Sequence, residues 1–127
     1  MRVFKKKPKA PSISRGEALD SIPVKSIQIT EARLETGEIV ISYSVAMRPF
    51  FAGLLKRFGG PEAQIQIKKL QLDELGTSVW DMINGKSSVR QLVEGFAKLH
   101  RLEAREAEVS VSQFLRELGR RGLIGLR

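Results

Sequence analysis

Cysteine is absent from this chain, and histidine occurs once, as His100. The first absence excludes disulfide frameworks, thiolate metal sites and cysteine nucleophiles. The second excludes any centre built on two imidazoles. No apolar run approaches the roughly 20 residues that a membrane-spanning helix needs. The basic N-terminus has no apolar stretch behind it, so it does not read as a secretory signal, and cytoplasmic residence is the expectation. A phosphate-binding loop is missing too. The glycine cluster Phe58-Gly59-Gly60-Pro61 has neither the strand-to-helix setting nor the Lys-Ser/Thr ending that such a loop requires.

What remains is 127 residues with a 42% apolar fraction, enough for one domain with a real core plus a tail. The formal net charge of +8 suggests nucleic acid until it is located. Residues 1–15 carry Arg2, Lys5, Lys6, Lys7, Lys9 and Arg15 with no acid, a local +6. Residues 16–61 balance to zero, and residues 62–127 contribute +2. The excess therefore sits on a tail, whereas a folded module that binds phosphates needs it on one face.

Residues 1–21 mix Lys, Pro, Ser and Gly, and read as a flexible basic arm ahead of a single domain over 22–127. From Pro23 the pattern has period two, with Ile27 and Ile29 on one face. Thr36-Gly37 supplies turn chemistry, and Ile39, Ile41, Tyr43 and Val45 continue on one parity, which predicts an antiparallel hairpin. An inserted segment follows at residues 47–61. There Phe50, Phe51, Leu54, Leu55 and Phe58 make one helical stripe, the pattern of a short amphipathic helix that covers the sheet or touches a membrane. Gln64 to Leu72 reads as a third strand, and its parity switch at Lys68-Lys69 predicts a bulge there.

The remainder is helical. Asp73 caps a first helix with Leu75, Val79, Met82 and Ile83 inward and Trp80 beside them. Ser87 or Ser88 caps a second, with Val89, Leu92, Val93 and Phe96 at helical spacing. A third helix runs from about Arg105 to Arg121 with Ala107, Val111, Phe114, Leu115 and Leu118 as its apolar face, and Gly122 sits where a left-handed residue ends it. The expected class is α+β, a winged-helix-like domain with a three-stranded antiparallel sheet followed by three helices. Catalysis lacks an inventory. His100 reads as a structural cation at a helix end, and Glu103, Glu106 and Glu108 read as helix-start residues rather than an acid–base pair. No catalytic residue, metal or cofactor is expected.

Three stretches are more specific. Leu70-Gln71-Leu72-Asp73-Glu74-Leu75-Gly76-Thr77-Ser78-Val79-Trp80, then Ile83-Asn84-Gly85-Lys86-Ser87-Ser88-Val89, then Phe114-Leu115-Arg116-Glu117-Leu118-Gly119-Arg120-Arg121-Gly122-Leu123-Ile124 stand in one order. Together they resemble the PqqD family of pyrroloquinoline quinone biosynthesis, whose domain recurs as the precursor-peptide recognition element of other modified-peptide pathways. Asp73 stands where that family usually has Asn, and residues 47–61 intervene where it has a short turn.

The resemblance implies a non-catalytic adaptor. A leader peptide adds as a strand beside the third strand, in the groove facing the third helix, and is presented to a modifying enzyme, typically of the radical S-adenosylmethionine type. Carried onto this sequence, the peptide-binding residues are Gln66, Ile67, Lys68, Lys69 and Leu70 on the strand, with Ser110, Phe114, Glu117 and Arg121 on the helix. Two other readings compete. One is a nucleic-acid-binding winged helix, which the mixed charge of the helices disfavours. The other is a membrane-peripheral protein held through Phe50–Phe58.

Overall fold

The computed structural model describes residues 14–46 and 65–127, so the inserted segment at 47–61 and most of the basic arm lie outside the described residues. The end of the arm does not. Arg15–Asp20 forms a helix, α1, capped reciprocally by Ser14: the Glu17 amide donates to Ser14 Oγ at 3.1 Å, and the Ser14 amide donates to Glu17 Oε1 at 2.9 Å. Leu19 is buried in the core, 5% exposed. The reading of residues 1–21 as wholly flexible is therefore corrected for this stretch: one buried leucine on a capped turn anchors it.

The chain then runs β1 (Pro23–Lys25), β2 (Ile29–Arg33), β3 (Ile39–Ala46) and β4 (Ile65–Gln71). Helices α2 (Glu74–Met82), α3 (Val89–His100) and α4 (Ala104–Arg120) follow, and β5 (Ile124–Leu126) ends the order. The architecture is α+β, with a three-stranded antiparallel sheet ordered β2-β3-β4 and three helices after it. The run from Pro23 is not one strand. Its first part pairs with β5 as a separate two-stranded sheet, Val24 opposite Gly125, and Ile27 falls between strands at 96% exposure rather than on a buried face. Ile22 and Arg127 exchange backbone hydrogen bonds at 2.8 and 3.0 Å, so the start of the domain is tied to its end.

Cross-strand partners share a face. Ile39, Ile41 and Tyr43 of β3 point at the helices and are buried, and Ile41 lies opposite Leu70 of β4. Register is continuous from Val40↔Gln71 to Ala46↔Ile65, so Lys68-Lys69 makes no bulge. The parity switch has a simpler cause. Ile67 sits on the outer face, 63% exposed, while Leu70 and Leu72 approach the core.

Helix α2 begins at Asp73, whose Oδ1 accepts from the Gly76 amide at 2.7 Å. Its inward face is Gly76, Thr77, Val79 and Trp80, while Leu75, expected inside, is 47% exposed. The helix is rotated so that Thr77 Oγ1 can accept from the Ile39 amide at 3.2 Å. Gly76 must be small: a Cβ there would lie 3.1 Å from Phe114 Cε1. Trp80 is fully buried, its indole N–H has no acceptor among the described residues, and Lys25 Nζ stands 4.4 Å above its ring.

Helix α3 is capped by Ser88, whose Oγ accepts from the Gln91 amide at 3.2 Å, and buries Val89, Leu92, Val93 and Phe96 as its spacing predicts. His100 is half-buried rather than solvent-facing. Its Nε2 is hydrogen-bonded to Ser78 Oγ at 2.9 Å and its ring lies 4.6 Å from that of Phe96, pinning the end of α3 to α2. Helix α4 buries Ala107, Val111, Leu115 and Leu118, and Gly122 leaves it at φ +79°. That value favours glycine, and Leu123 and Ile124 return to the core behind it.

Helix α1 is held by charge as well as by Leu19. Arg15 Nε and Nη2 donate to the two Glu108 carboxylate oxygens, each at 2.6 Å. The hydrogen bond from Arg15 holds the Glu108 carboxyl below its ordinary value. A depressed carboxylate stabilises the fold fully above its unfolded-state pKa, and that contribution is lost as pH falls through the folded value. The protection of α1 amides relative to their intrinsic exchange rates is thus expected to fall on the acid side of pH 4.5, the ordinary value. In Glu108→Gln that protection should be low already at neutral pH and insensitive to the titration. Equal acid sensitivity in both proteins would show that the pair does not hold α1.

Candidate functional site

In the sheet β4 is an edge strand, bonded on one side to β3. The Leu72 amide donates to the Ile39 carbonyl at 2.8 Å, which sets the phase of the ladder. Antiparallel backbone groups alternate between the two sides of a strand. Gln66, Lys68 and Leu70 therefore spend their amides and carbonyls on β3, while those of Ile67, Lys69 and Gln71 point away from it. Among the described residues nothing bonds them. A row of unpaired groups of this kind is a template for another strand.

The side chains divide the other way. Lys68 lies opposite Tyr43 and Gln66 opposite Val45, on the face toward the helices, with Leu70 half-buried against the core. Ile67 and Lys69, both named as binding residues from the sequence, point to the opposite face, so their backbone borders the edge but their side chains do not reach the helix. Neither Lys68 nor Lys69 forms an ion pair among the described residues.

Beside this strand runs one flank of α4. At about 100° per residue, Ser110, Phe114, Glu117 and Arg121 fall within one stripe, the last of them at the helix C-cap. Phe114 is half-buried against Gly76, next to Leu72, where β4 gives way to α2. Seven residues on, Arg121 Nη1 donates to Tyr43 Oη at 2.9 Å and its Nε donates to Glu117 Oε2 at 2.9 Å. The Tyr43 hydrogen bond, helped by the Glu117 carboxylate, holds the Arg121 guanidinium above its ordinary value, so it stays charged. Ser110 is exposed, with no side-chain hydrogen bond among the described residues. The groove that the resemblance implies is thus bordered by backbone groups with no partner among the described residues and, on α4, by an aromatic, a carboxylate and a guanidinium.

Tyr43 is a residue that the sequence pattern placed only on one parity of the hairpin. It is 8% exposed, and its hydroxyl orients Arg121 from across the sheet. A tyrosine on the inward parity of a strand was the available signal, since a buried phenol needs a partner.

The family model of coenzyme PQQ synthesis protein D (PqqD) matches residues 65–124. Over those residues, just under half of the chain, the sequence is PqqD-like. No curated protein and no solved structure matches the chain. The PqqD stretch opens on the first residue of β4 and closes on the first of β5, so it contains the edge strand of the described sheet and all three helices that follow. Tyr43 comes from outside the matched PqqD residues. Among the described residues, no helix is long and apolar enough to cross a membrane, and no group of three or more His, Asp or Glu side chains is placed to hold a metal.

Proposed function

We propose that this protein is a non-catalytic adaptor of PQQ or related modified-peptide biosynthesis, acting in the cytoplasm. It takes a precursor peptide as a strand on β4 and presents it to a modifying enzyme, of the radical S-adenosylmethionine type in the family's usual pattern. The observation that carries this reading is that the backbone groups of Ile67, Lys69 and Gln71 have no partner among the described residues, on a strand whose neighbours Tyr43 and Leu72 meet Arg121 and Phe114 of the α4 stripe. Backbone bonds along such an edge give affinity for any extended chain, and alternate side chains of the guest read the groove. The guest residues that face α4 meet Lys68, Arg121 and Phe114, which favours a peptide with acidic and apolar residues at alternate positions.

The nucleic-acid reading fits less well. Arg15, Arg90, Arg120 and Arg121 are each engaged by a carboxylate, so the helices offer mixed rather than basic faces. The membrane reading rests on Phe50–Phe58, outside the described residues.

Titrating isotope-labelled protein with a candidate precursor peptide tests the proposal. Amide shifts are expected along 66–71 and along the Ser110–Arg121 stripe, with a dissociation constant in the micromolar range or tighter. The absence of shifts there at high micromolar peptide would overturn it.

A further inference from the structure

A second groove of about 650 Å³ lies on the other flank of α4. Its floor is Leu19, Leu115 and Ile124, and its walls carry Ala18, Val109 and Leu126. Val109 and Leu126 are 41% and 52% exposed. Arg105, Val109, Ser112, Arg116 and Gly119 recur on one stripe, and at about 100° per residue that stripe stands on the opposite side of the helix from Ser110, Phe114, Glu117 and Arg121. The groove therefore shares no α4 residue with the β4 site.

We propose that this groove docks an acidic amphipathic helix of a partner protein. Charge decides the sign. Glu108 is the one acidic side chain of the lining, and it is already bonded through both oxygens to Arg15. Arg105 and Arg116 form no ion pair among the described residues and leave the rim positive. This chain's own residues 1–13, which lead directly to Ser14 at the rim, hold five Lys or Arg and no acid, and a second copy carries +8. Both would meet like charge. Shape decides the rest. Apart from Ile124 and Leu126 of β5, the lining is side chains of α1, α3 and α4, so a guest lying along α4 must satisfy its own backbone, as a helix does. The flank from Arg105 to Gly119 spans roughly 21 Å, the length of a helix of about four turns.

Gly119 supplies a clean test, because a Cβ there meets nothing within 4 Å. Gly119→Phe fills the groove without crowding the core, and its unfolding midpoint reports that the fold is kept. The probe is a synthetic helix with a leucine stripe flanked by glutamates, and its control has lysines in place of the glutamates. The acidic peptide is expected to shift Ala18, Val109, Ser112 and Leu126, to weaken with added salt, and to lose about tenfold or more in affinity in Gly119→Phe.

Lys69→Pro should leave this binding unchanged, which separates the result from the fate of the β4 site. Equal binding of the lysine control, no binding at high micromolar peptide, or indifference to Gly119→Phe would overturn the proposal. So would occupation by this chain itself. A spin label on Lys5→Cys, the only thiol in the protein, would then broaden Val109 and Gly119 without any peptide, and a second copy would appear as a concentration-dependent dimer that Gly119→Phe abolishes.

Discussion

Lys69→Pro is expected to lower affinity for the precursor peptide by about tenfold or more while leaving the fold intact. The Lys69 amide points away from β3, so proline removes a donor that only a guest strand would use. Proline is tolerated at such positions on an edge strand, and its ring also blocks the approach of a neighbouring backbone. One lost backbone bond is worth about 0.5–1.5 kcal/mol, and the obstruction adds to it. Lys68→Pro is the informative contrast. Its amide belongs to the ladder with β3, opposite Tyr43, so the substitution should lower stability as well as binding. Lys69→Ala, which removes the charge and keeps the N–H, is expected to bind within about threefold of the parent, in keeping with the small worth of an exposed charge. Calorimetric titration and thermal unfolding of the three variants separate backbone capture from side-chain attraction. A Lys69→Pro protein that binds as well as the parent would mean that β4 does not receive the peptide.

The second large effect concerns stability. Trp80→Ala is expected to cost about 3–5 kcal/mol, a large share of the roughly 5–15 kcal/mol that holds an ordinary domain together. Trp80 is fully buried where α2 meets the core, and Lys25 stacks over its ring from the β1–β5 sheet. Trp80→Phe should cost well under half as much. The indole N–H has no hydrogen-bond acceptor among the described residues, so its removal breaks no bond there and takes away a desolvated donor. Urea unfolding followed by circular dichroism measures both. Equal losses for Phe and Ala would show that the N–H, not the ring's bulk, matters there.

Legibility in the sequence followed the range of the interactions. The parity of Ile39, Ile41 and Tyr43, the spacing of Val89, Leu92, Val93 and Phe96, the Ser88 cap and the turn at Gly122 are all local, and the structure agrees with each. The β1–β5 sheet joins three-residue strands about 100 positions apart, and no pattern within Pro23–Lys25 announces a partner at Ile124–Leu126. Helix α1 did leave a signal, the Ser14 and Glu17 capping pair, but Pro11 and the neighbouring charges outweighed it. The rotation of α2 depends on Thr77 meeting Ile39 and Gly76 meeting Phe114, contacts that periodicity alone does not encode.

The candidate site divides in the same way. The resemblance pointed to the strand and to the stripe on α4, and the structure sets Arg121, with Glu117, on Tyr43, the cross-strand partner of Lys68, and Phe114 beside Leu72. Which residues face outward is a matter of ladder phase. That phase became readable only once Leu72 was seen bonded to Ile39, and it turns the Ile67 and Lys69 side chains away from the groove.

Amide hydrogen exchange along β4, with and without the precursor peptide, tests strand capture most directly. Slowing is expected at Ile67, Lys69 and Gln71, and little change at Gln66, Lys68 and Leu70, whose amides β3 already protects. Exchange unchanged by peptide at Ile67, Lys69 and Gln71, with peptide demonstrably bound elsewhere on the protein, would contradict it.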